Sequence, residues 1–121
     1  MANLLAGCRE ELRLLLGAAG VTVYDHIPER VVPPVALLEP GSPYMQQGDT
    51  FCDFTVNMNV VLLVGQGRNE VGTVDLDELI CEVLDAVDTW DLVSVEQPAA
   101  FDMNNTTYLG VRIQFATDRS L

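Results

Sequence analysis

The sequence contains no lysine, and its six basic residues are all arginine, against 18 acidic residues and a formal net charge of −12. Proteins that bind DNA or RNA tightly carry basic surfaces that neutralise backbone phosphates. A chain this acidic lacks such a surface and repels phosphate at long range. We therefore expect no specific binding of nucleic acid.

Cysteine and histidine are also scarce. The three cysteines, Cys8, Cys52 and Cys81, lie far apart in the sequence, and the single histidine is His26. No CxxC pair occurs, and no spacing with the histidine matches a metal site. The sequence therefore predicts buried free thiols in a reducing compartment, without a disulfide framework and without a bound metal.

Long apolar runs are missing as well. No run approaches the roughly 20 residues of a membrane span, so we expect no membrane partner. The first 16 residues, MANLLAGCREELRLLL, lack a basic start and are interrupted by charged residues, so we expect no signal peptide. What remains is a 121-residue chain that is 49% hydrophobic, which favours a single folded domain spanning residues 1–121.

The most informative stretch runs from Asn69 to Val111, which holds ten carboxylates and no basic residue. Within it, the apolar residues of Val74–Trp90 recur at three- and four-residue steps and predict an amphipathic helix. Its other face carries Asp75, Asp77, Glu78, Glu82, Asp85 and Asp88. Like charges at these spacings cost an isolated helix about 0.2–0.5 kcal/mol per pair. The helix therefore needs packing on its apolar side, and its acidic side faces water or a cationic partner.

Periodicity indicates the remaining elements. An amphipathic first helix starts at Leu4, and Gly20 can close it in a left-handed conformation. Strand patterns cover Val21–Tyr24, Val35–Leu38, Phe51–Val64, a segment beginning with inward Val93 and Val95, and Leu109–Phe115. The order αβββαββ, with strands in hairpin-like runs, predicts an α+β fold with a mainly antiparallel sheet of four to five strands packed against two helices.

Two segments of this pattern attract attention. Both faces of the strand turn apolar from Val60 to Val64, which predicts that this end is covered on both sides. Pro40–Thr50 is rich in turn formers and predicts a loop. Its side chains Tyr44, Met45, Gln46 and Gln47 are candidates for contact with another protein, and an ordinary solvated connection is the alternative.

No pattern of catalytic chemistry stands out. The turn from Gly65 to Glu70 sits where a dinucleotide fingerprint would lie, but Glu70 replaces the third glycine and would face the pyrophosphate. His26 lies near Asp25 and Glu29, so a histidine–carboxylate pair is conceivable, with a surface histidine as the alternative. The helix carboxylates do not follow calcium-loop spacing. We expect neither an enzyme nor a cofactor.

The whole chain nevertheless resembles a known group of proteins. The first helix ends in AAGVTVYDHIPERVVPPVALLEPGSPY, and the long strand FTVNMNVVLLVGQGRNE leads into the acidic helix and a closing hairpin. The order of elements and the phrases VYDHIPER, PPVALLEPG and LVGQGRNE are similar to the small tail terminator (tail completion) proteins of long-tailed phages, especially those of actinobacteria. A sister family of neck or head–tail joining proteins has a similar size.

The resemblance implies a structural virion protein without catalytic residues. Such proteins form a ring, usually a homohexamer, that caps the growing tail tube, ends its polymerisation and joins the tail to the head connector. The implied partners are further copies of the chain, the tail tube protein and the connector, and DNA passes through the ring without specific binding. The implied locations are the neck end of the virion tail and, during assembly, the cytoplasm of the bacterial host.

Charged residues are the second set of candidate contacts. The acidic helix face is represented by Glu78, Glu82 and Asp85, and it either meets a basic surface or is merely solvated. The candidate cations on a neighbouring copy are Arg9, Arg13, Arg68 and Arg112. Two other functions stay open at this point: another neck component that meets the portal side, and a small soluble enzyme or ligand-binding domain that uses the region of His26.

Overall fold

The computed structural model describes residues 4–24, 30, 33–48, 52–66, 70–103 and 105–120. Within these residues the elements are α1 (Leu4–Ala18), β1 (Val23–Tyr24), β2 (Val35–Gln47), β3 (Asp53–Gln66), α2 (Glu70–Ala86), β4 (Asp91–Val95), β5 (Ala99–Met103) and β6 (Thr106–Ser120). The predicted α+β class is confirmed. The predicted order αβββαββ is present, with one further short strand, β5.

The strands form a single sheet in the order β1-β2-β3-β6-β4, and β5 also pairs with β6. All pairings are antiparallel except that of β1 with β2. The long strands β3 and β6 lie at its centre. Strand β5 precedes β6 and pairs with it antiparallel, with Met103 opposite Thr106, and Asn105 in the tight turn between them has a φ of 65°. The sequence predicts a turn over Asp102–Thr107, and the observed turn is shorter, because residues 102–103 belong to β5 and residues 106–107 to β6.

Helix α1 ends where its sequence predicts. The amide of Val21 donates to the carbonyl of Leu16 at 3.2 Å, and that of Gly20 to Gly17 at 3.0 Å. Gly20 has a φ of 84°, which places it in the left-handed region that costs glycine little. This is the Schellman arrangement, and the buried side chains of Leu16 and Val21 complete it.

Both helices cover the same face of the sheet. Helix α1 buries Cys8, Leu12 and Leu16, while α2 buries Leu76, Leu79 and Val83. These side chains join one core with the inward residues of β3 and β6, and a fully buried leucine contributes about 1.5–3 kcal/mol. Helix α2 begins and ends earlier than the predicted helix Val74–Trp90. Val87 and Trp90 continue the apolar pattern of the sequence, but they are buried from the turn after the helix.

The start of α2 also differs from the sequence pattern. The sequence predicts Asn69 or Thr73 as the N-terminal cap of this helix. Thr73 lies inside the helix, which begins at Glu70. The other predicted cap, Asn69, is outside the described residues.

A second, smaller core lies on the opposite face of the sheet. It consists of Val35, Leu37, Val61, Leu63 and Tyr108, with Tyr24, Phe101 and Met103 packed against it. Val60 and Leu62 point into the first core instead. The prediction that this end of β3 is covered on both faces is confirmed.

The prediction of buried thiols is correct only for Cys8. Its side chain is part of the first core, whereas Cys52 and Cys81 are exposed free thiols. Cys52 lies in the turn before β3, where strand alternation does not apply. Cys81 follows Ile80 on the outer side of α2, away from the buried stripe.

Candidate interaction surface

The outer side of α2 and the turn after it form an acidic face, defined by Asp75, Asp77, Glu78, Glu82, Asp85 and Asp88. All six side chains are exposed. Within the described part of the chain, none of them forms an ion pair with an arginine. The buried leucine and valine stripe on the inner side of α2 holds these carboxylates in water despite their mutual repulsion.

Apolar depressions lie on both sides of this acidic face. One is lined by Pro34, Val64, Asp75, Glu78, Leu79 and Glu82. The other lies between the helices and is lined by Leu15, Ala18, Ala19, Glu82, Asp85 and Ala86. Glu82 borders both. The predicted trio of Glu78, Glu82 and Asp85 is thus brought together around shallow apolar surfaces, an arrangement that can receive the side chains of a basic partner.

The arginines proposed as partners for this face are mostly engaged elsewhere. Arg9 donates to the hydroxyl of Tyr44 at 2.8 Å. Arg13 forms an exposed ion pair with Glu10 one turn earlier in α1. Arg68 lies outside the described residues.

Arg112 lies on the wrong side of the sheet for contact with its own acidic helix face. Val111 and Ile113 point into the core beneath the helices, so the alternation of β6 places Arg112 on the opposite face. Its Nε donates to Glu39 Oε1 at 2.5 Å, and its Nη1 lies 3.4 Å from Glu96 Oε2. The hydrogen bond to Glu39 raises the pKa of Arg112 above its ordinary value. The guanidinium therefore joins Glu39 in β2 to Glu96 after β4, and its contact with a neighbouring acidic face stays a prediction that would have to compete with these two carboxylates.

Of the contact loop predicted at Pro40–Thr50, the structure describes residues 40–48, and residues 40–47 belong to strand β2. Strand β2 resumes its pairing with β3 after an irregularity between Pro40 and Met45, and Met45, Gln46 and Gln47 lie opposite Val56, Thr55 and Phe54. Tyr44 and Met45 are half-buried against the first core, and only Gln46 and Gln47 of this set are exposed. The turn-forming residues build a bulge instead of ending the strand.

The bulge is fastened to β3 by one side chain. Asn57, which is buried, donates through Nδ2 to the carbonyl of Pro43 at 2.8 Å. Gly41 packs so closely that a Cβ there would lie 2.7 Å from the Cβ and carbonyl oxygen of Asn57. Strand alternation in the sequence predicts that Asn57 lies on a solvated face of β3, but its side chain is buried and holds the bulge in place.

Strand β4 exposes apolar side chains that the sequence pattern predicts to be buried. Val93 and Val95 were expected to point inward, but Leu92, Val93 and Val95 are 49%, 53% and 39% exposed. The strand lies at the end of the sheet and pairs only with β6, with an irregularity between Leu92 and Ser94. Alternation predicts which side chains share a face, but it does not show that this edge is left uncovered.

The described residues show little that could support a reaction. No group of three His, Cys, Asp or Glu residues among them could hold a metal ion. Burial raises the pKa of the Cys8 thiol, with Arg119 acting in the opposite direction, so this cysteine stays protonated near neutral pH. His26, Asp25 and Glu29 lie outside the described residues. Neither described helix combines the length and the apolar character that crossing a membrane requires.

The chain matches no protein-family model and no curated protein. The described residues present two surfaces that could contact another protein. They comprise an acidic face beside apolar depressions on α2 and an apolar edge at β4.

Proposed function

We propose that this protein is a tail terminator of a long-tailed phage. In this proposal, copies of the chain form a ring that caps the tail tube, ends its polymerisation and joins the tail to the head connector. The ring is a homohexamer located at the neck end of the virion tail. The protein acts through its surfaces and performs no reaction.

The observation that carries the proposal is the acidic face of α2. Its six carboxylates are exposed and have no arginine partner among the described residues. Apolar depressions border it at Leu79 and at Ala86. Apolar depressions surrounded by charged side chains are typical of protein–protein contacts, and the negative charge here favours a partner whose surface is basic.

The overall charge supports the same function. A ring of subunits that each carry a formal charge of −12 repels the phosphates of DNA moving through its lumen. Such a ring lets DNA pass without holding it. The resemblance of the sequence to tail terminators supports the identity of the partners, the tail tube and the connector.

The test is charge reversal on the acidic face. A variant with Glu78→Lys, Glu82→Lys and Asp85→Lys should keep its fold, since all three side chains are exposed. It should fail to dock on purified tail tubes and should yield tails of abnormal length in a complementation assay. Circular dichroism and thermal unfolding check the fold, and electron microscopy measures docking and tail length.

A matched comparison uses two variants, in each of which one exposed carboxylate is replaced by lysine. Glu82→Lys lies on the acidic face, whereas Asp102→Lys changes an exposed carboxylate on β5. Only the first should impair docking. Normal tails and infectivity with the triple variant would show that the face is merely solvated. A native protein that stays monomeric at high concentration and never binds tail tubes would refute the terminator function, and binding to the portal side alone would favour a neck protein.

A further inference from the structure

Large apolar side chains are exposed close together on β4. Leu92, Val93 and Val95 fall within four consecutive positions, and all three are exposed. Single exposed hydrophobic residues are ordinary on a protein surface, but several neighbouring ones mark interaction sites. We call residues 91–96 the β4 edge. No lysine, arginine or proline occurs among them, although natural edge strands are commonly guarded by lysine or proline.

One long side of β4 has no strand beside it. In the part of the chain that the structure describes, β4 pairs only with β6 and is the last strand of the sheet order. The Glu96 amide donates to the carbonyl of Arg112 in β6 at 2.9 Å. Because the backbone groups of successive strand residues point to opposite sides, the amide and carbonyl of Val95 point away from β6. These groups can pair with a strand that is added beside β4.

The apolar side chains of the β4 edge continue the layer that forms the first core. Leu92 and Val95 lie opposite Phe115 and Ile113, whose side chains are buried in that core. Directly paired residues of antiparallel strands point to the same face of the sheet. Leu92 and Val95 therefore lie on the face that carries the helices, but both stay exposed. Apolar side chains of an added strand would bury this surface.

The polar side chains of the β4 edge lie on the other face of the sheet, and two of the three are acidic. Asp91, Ser94 and Glu96 have the alternation opposite to that of the apolar pair. Asp91 has no ion-pair partner among the described residues. Glu96 is 3.4 Å from Arg112, whose closer contact is with Glu39 at 2.5 Å. This side of the β4 edge therefore favours basic side chains.

A second copy of this chain does not offer a matching strand. Among the described strands, β1, β2, β4 and β5 each have a side that is not fully paired, and none of them contains a basic residue. The two arginines of the described strands, Arg112 and Arg119, are both in β6, and each is already paired with a glutamate. Strand pairing between two copies would therefore place the carboxylates of the β4 edge beside neutral or acidic side chains, and like charges across strands are destabilising.

We propose that the β4 edge binds an extended segment of another protein in which basic and apolar side chains alternate. The segment adds as a strand beside β4, and its backbone pairs with the amide and carbonyl of Val95. Its apolar side chains pack on Leu92 and Val95, and its basic side chains lie near Asp91 and Glu96. The β4 edge is separate from the acidic face of α2, so this binding goes beyond the proposed function and does not require a ring.

Peptide binding followed by NMR tests the added strand. The probe is a capped synthetic peptide in which lysine and valine alternate, and the control peptide has the same composition with all lysines before all valines. The alternating peptide should bind and slow the hydrogen exchange of the Val95 amide, because that amide then donates to the peptide. The control peptide should bind about tenfold more weakly, since it cannot place its valines and lysines on opposite faces of a strand.

Two charge-reversal variants locate the binding. Asp91→Lys with Glu96→Lys changes exposed side chains of the β4 edge and should weaken binding of the alternating peptide about tenfold, because attraction becomes repulsion. Circular dichroism checks that this variant keeps its fold. The matched control, Asp75→Lys with Asp77→Lys, makes the same charge change on α2. It should alter the affinity about twofold or less, since charges outside the contact are screened by salt.

Each remaining outcome would overturn the inference. Equal binding of both peptides, or undiminished binding by the β4 variant, would show that charge alone attracts the peptide. A native protein that dimerises without peptide and protects its Val95 amide would show that a second copy occupies the β4 edge. No binding of the alternating peptide at millimolar concentration would exclude the added strand. None of these results decides docking on tail tubes, which is tested separately through the acidic face of α2.

Discussion

The carboxylate of Glu11 in α1 accepts a 2.8 Å hydrogen bond from the indole nitrogen of Trp90, 79 positions later in the chain. The same oxygen accepts a hydrogen bond from Arg119 in β6. The Arg119 guanidinium in turn lies 5.7 Å from the centre of the Trp90 ring. One carboxylate thus connects the first helix, the turn before β4 and the last strand.

Removing this carboxylate should weaken the fold. Glu11→Ala leaves the indole N–H and Arg119 without their acceptor, and we expect a loss of about 1–2 kcal/mol, reduced by the 40% exposure of Glu11. Urea unfolding followed by circular dichroism measures it. The control is Glu10→Ala, the adjacent exposed glutamate paired with Arg13, which should cost about 0.5 kcal/mol or less. Equal losses for the two variants would refute the connecting role of Glu11.

The close packing at the β2 bulge gives a second prediction. Gly41→Ala would place a Cβ 2.7 Å from the backbone of Asn57, so the bulge must shift, and we expect a loss of about 1–3 kcal/mol. The matched control is Gly17→Ala in α1, where an added Cβ meets nothing, and a gain of about 0.5–1 kcal/mol is expected there. Thermal unfolding of both variants distinguishes the two sites, and an unchanged Gly41→Ala variant would contradict the packing.

The ion pair between Arg112 and Glu39 on one face of the sheet gives a third prediction. A double-mutant cycle with Glu39→Gln and Arg112→Leu should give a coupling of about 0.5–1 kcal/mol, because their contact is 2.5 Å and only partly exposed. The parallel cycle of Arg112 with Glu96, at 3.4 Å and more exposed, should give less. If the Glu96 cycle gave the larger coupling, the assignment of Glu39 as the main partner would be wrong.

The thiols give a fourth prediction, which includes a pH dependence. Cys52 and Cys81 should react quickly with a disulfide reagent, and Cys8 only on unfolding. Since burial raises the folded-state pKa of Cys8, its contribution to stability is complete below the ordinary value of 9.0 and is lost as the pH rises above it. Unfolding at pH 8 and pH 10 should show this decline in the native protein and a smaller one in Cys8→Ala. Rapid labelling of three thiols at pH 8 would contradict the burial.

Much of the fold follows from local patterns. The stripe on α2 identified the buried face because every third or fourth position meets the same layer, and the doubly apolar end of β3 identified a strand with two covered faces. The left-handed Gly20 followed from its place after the first helix. In each case the pattern of neighbouring residues along the chain is enough to predict which positions are buried or left-handed, although the packing itself comes from distant elements.

Other features depend on residues that are distant in sequence. Tyr44 and Met45 look like loop residues until β3 provides the partner strand that lets β2 resume after its bulge. Arg112 looks like a free cation until Glu39, 73 positions away, comes within hydrogen-bonding distance. Neither pairing leaves a local signal, because hydrogen-bond partners across a sheet are chosen by register.

The sequence by itself determined that this protein is acidic, lacks a basic nucleic-acid surface and presents carboxylates along one side of a helix, because charge and helical period are properties of the chain. Only the tertiary structure decided which apolar residues stay in water. Val93 and Val95 have the alternation of a core strand, but their strand lies at the end of the sheet order, where the two helices no longer cover it. Burial depends on which elements pack above a strand, and that is settled only when the whole chain folds.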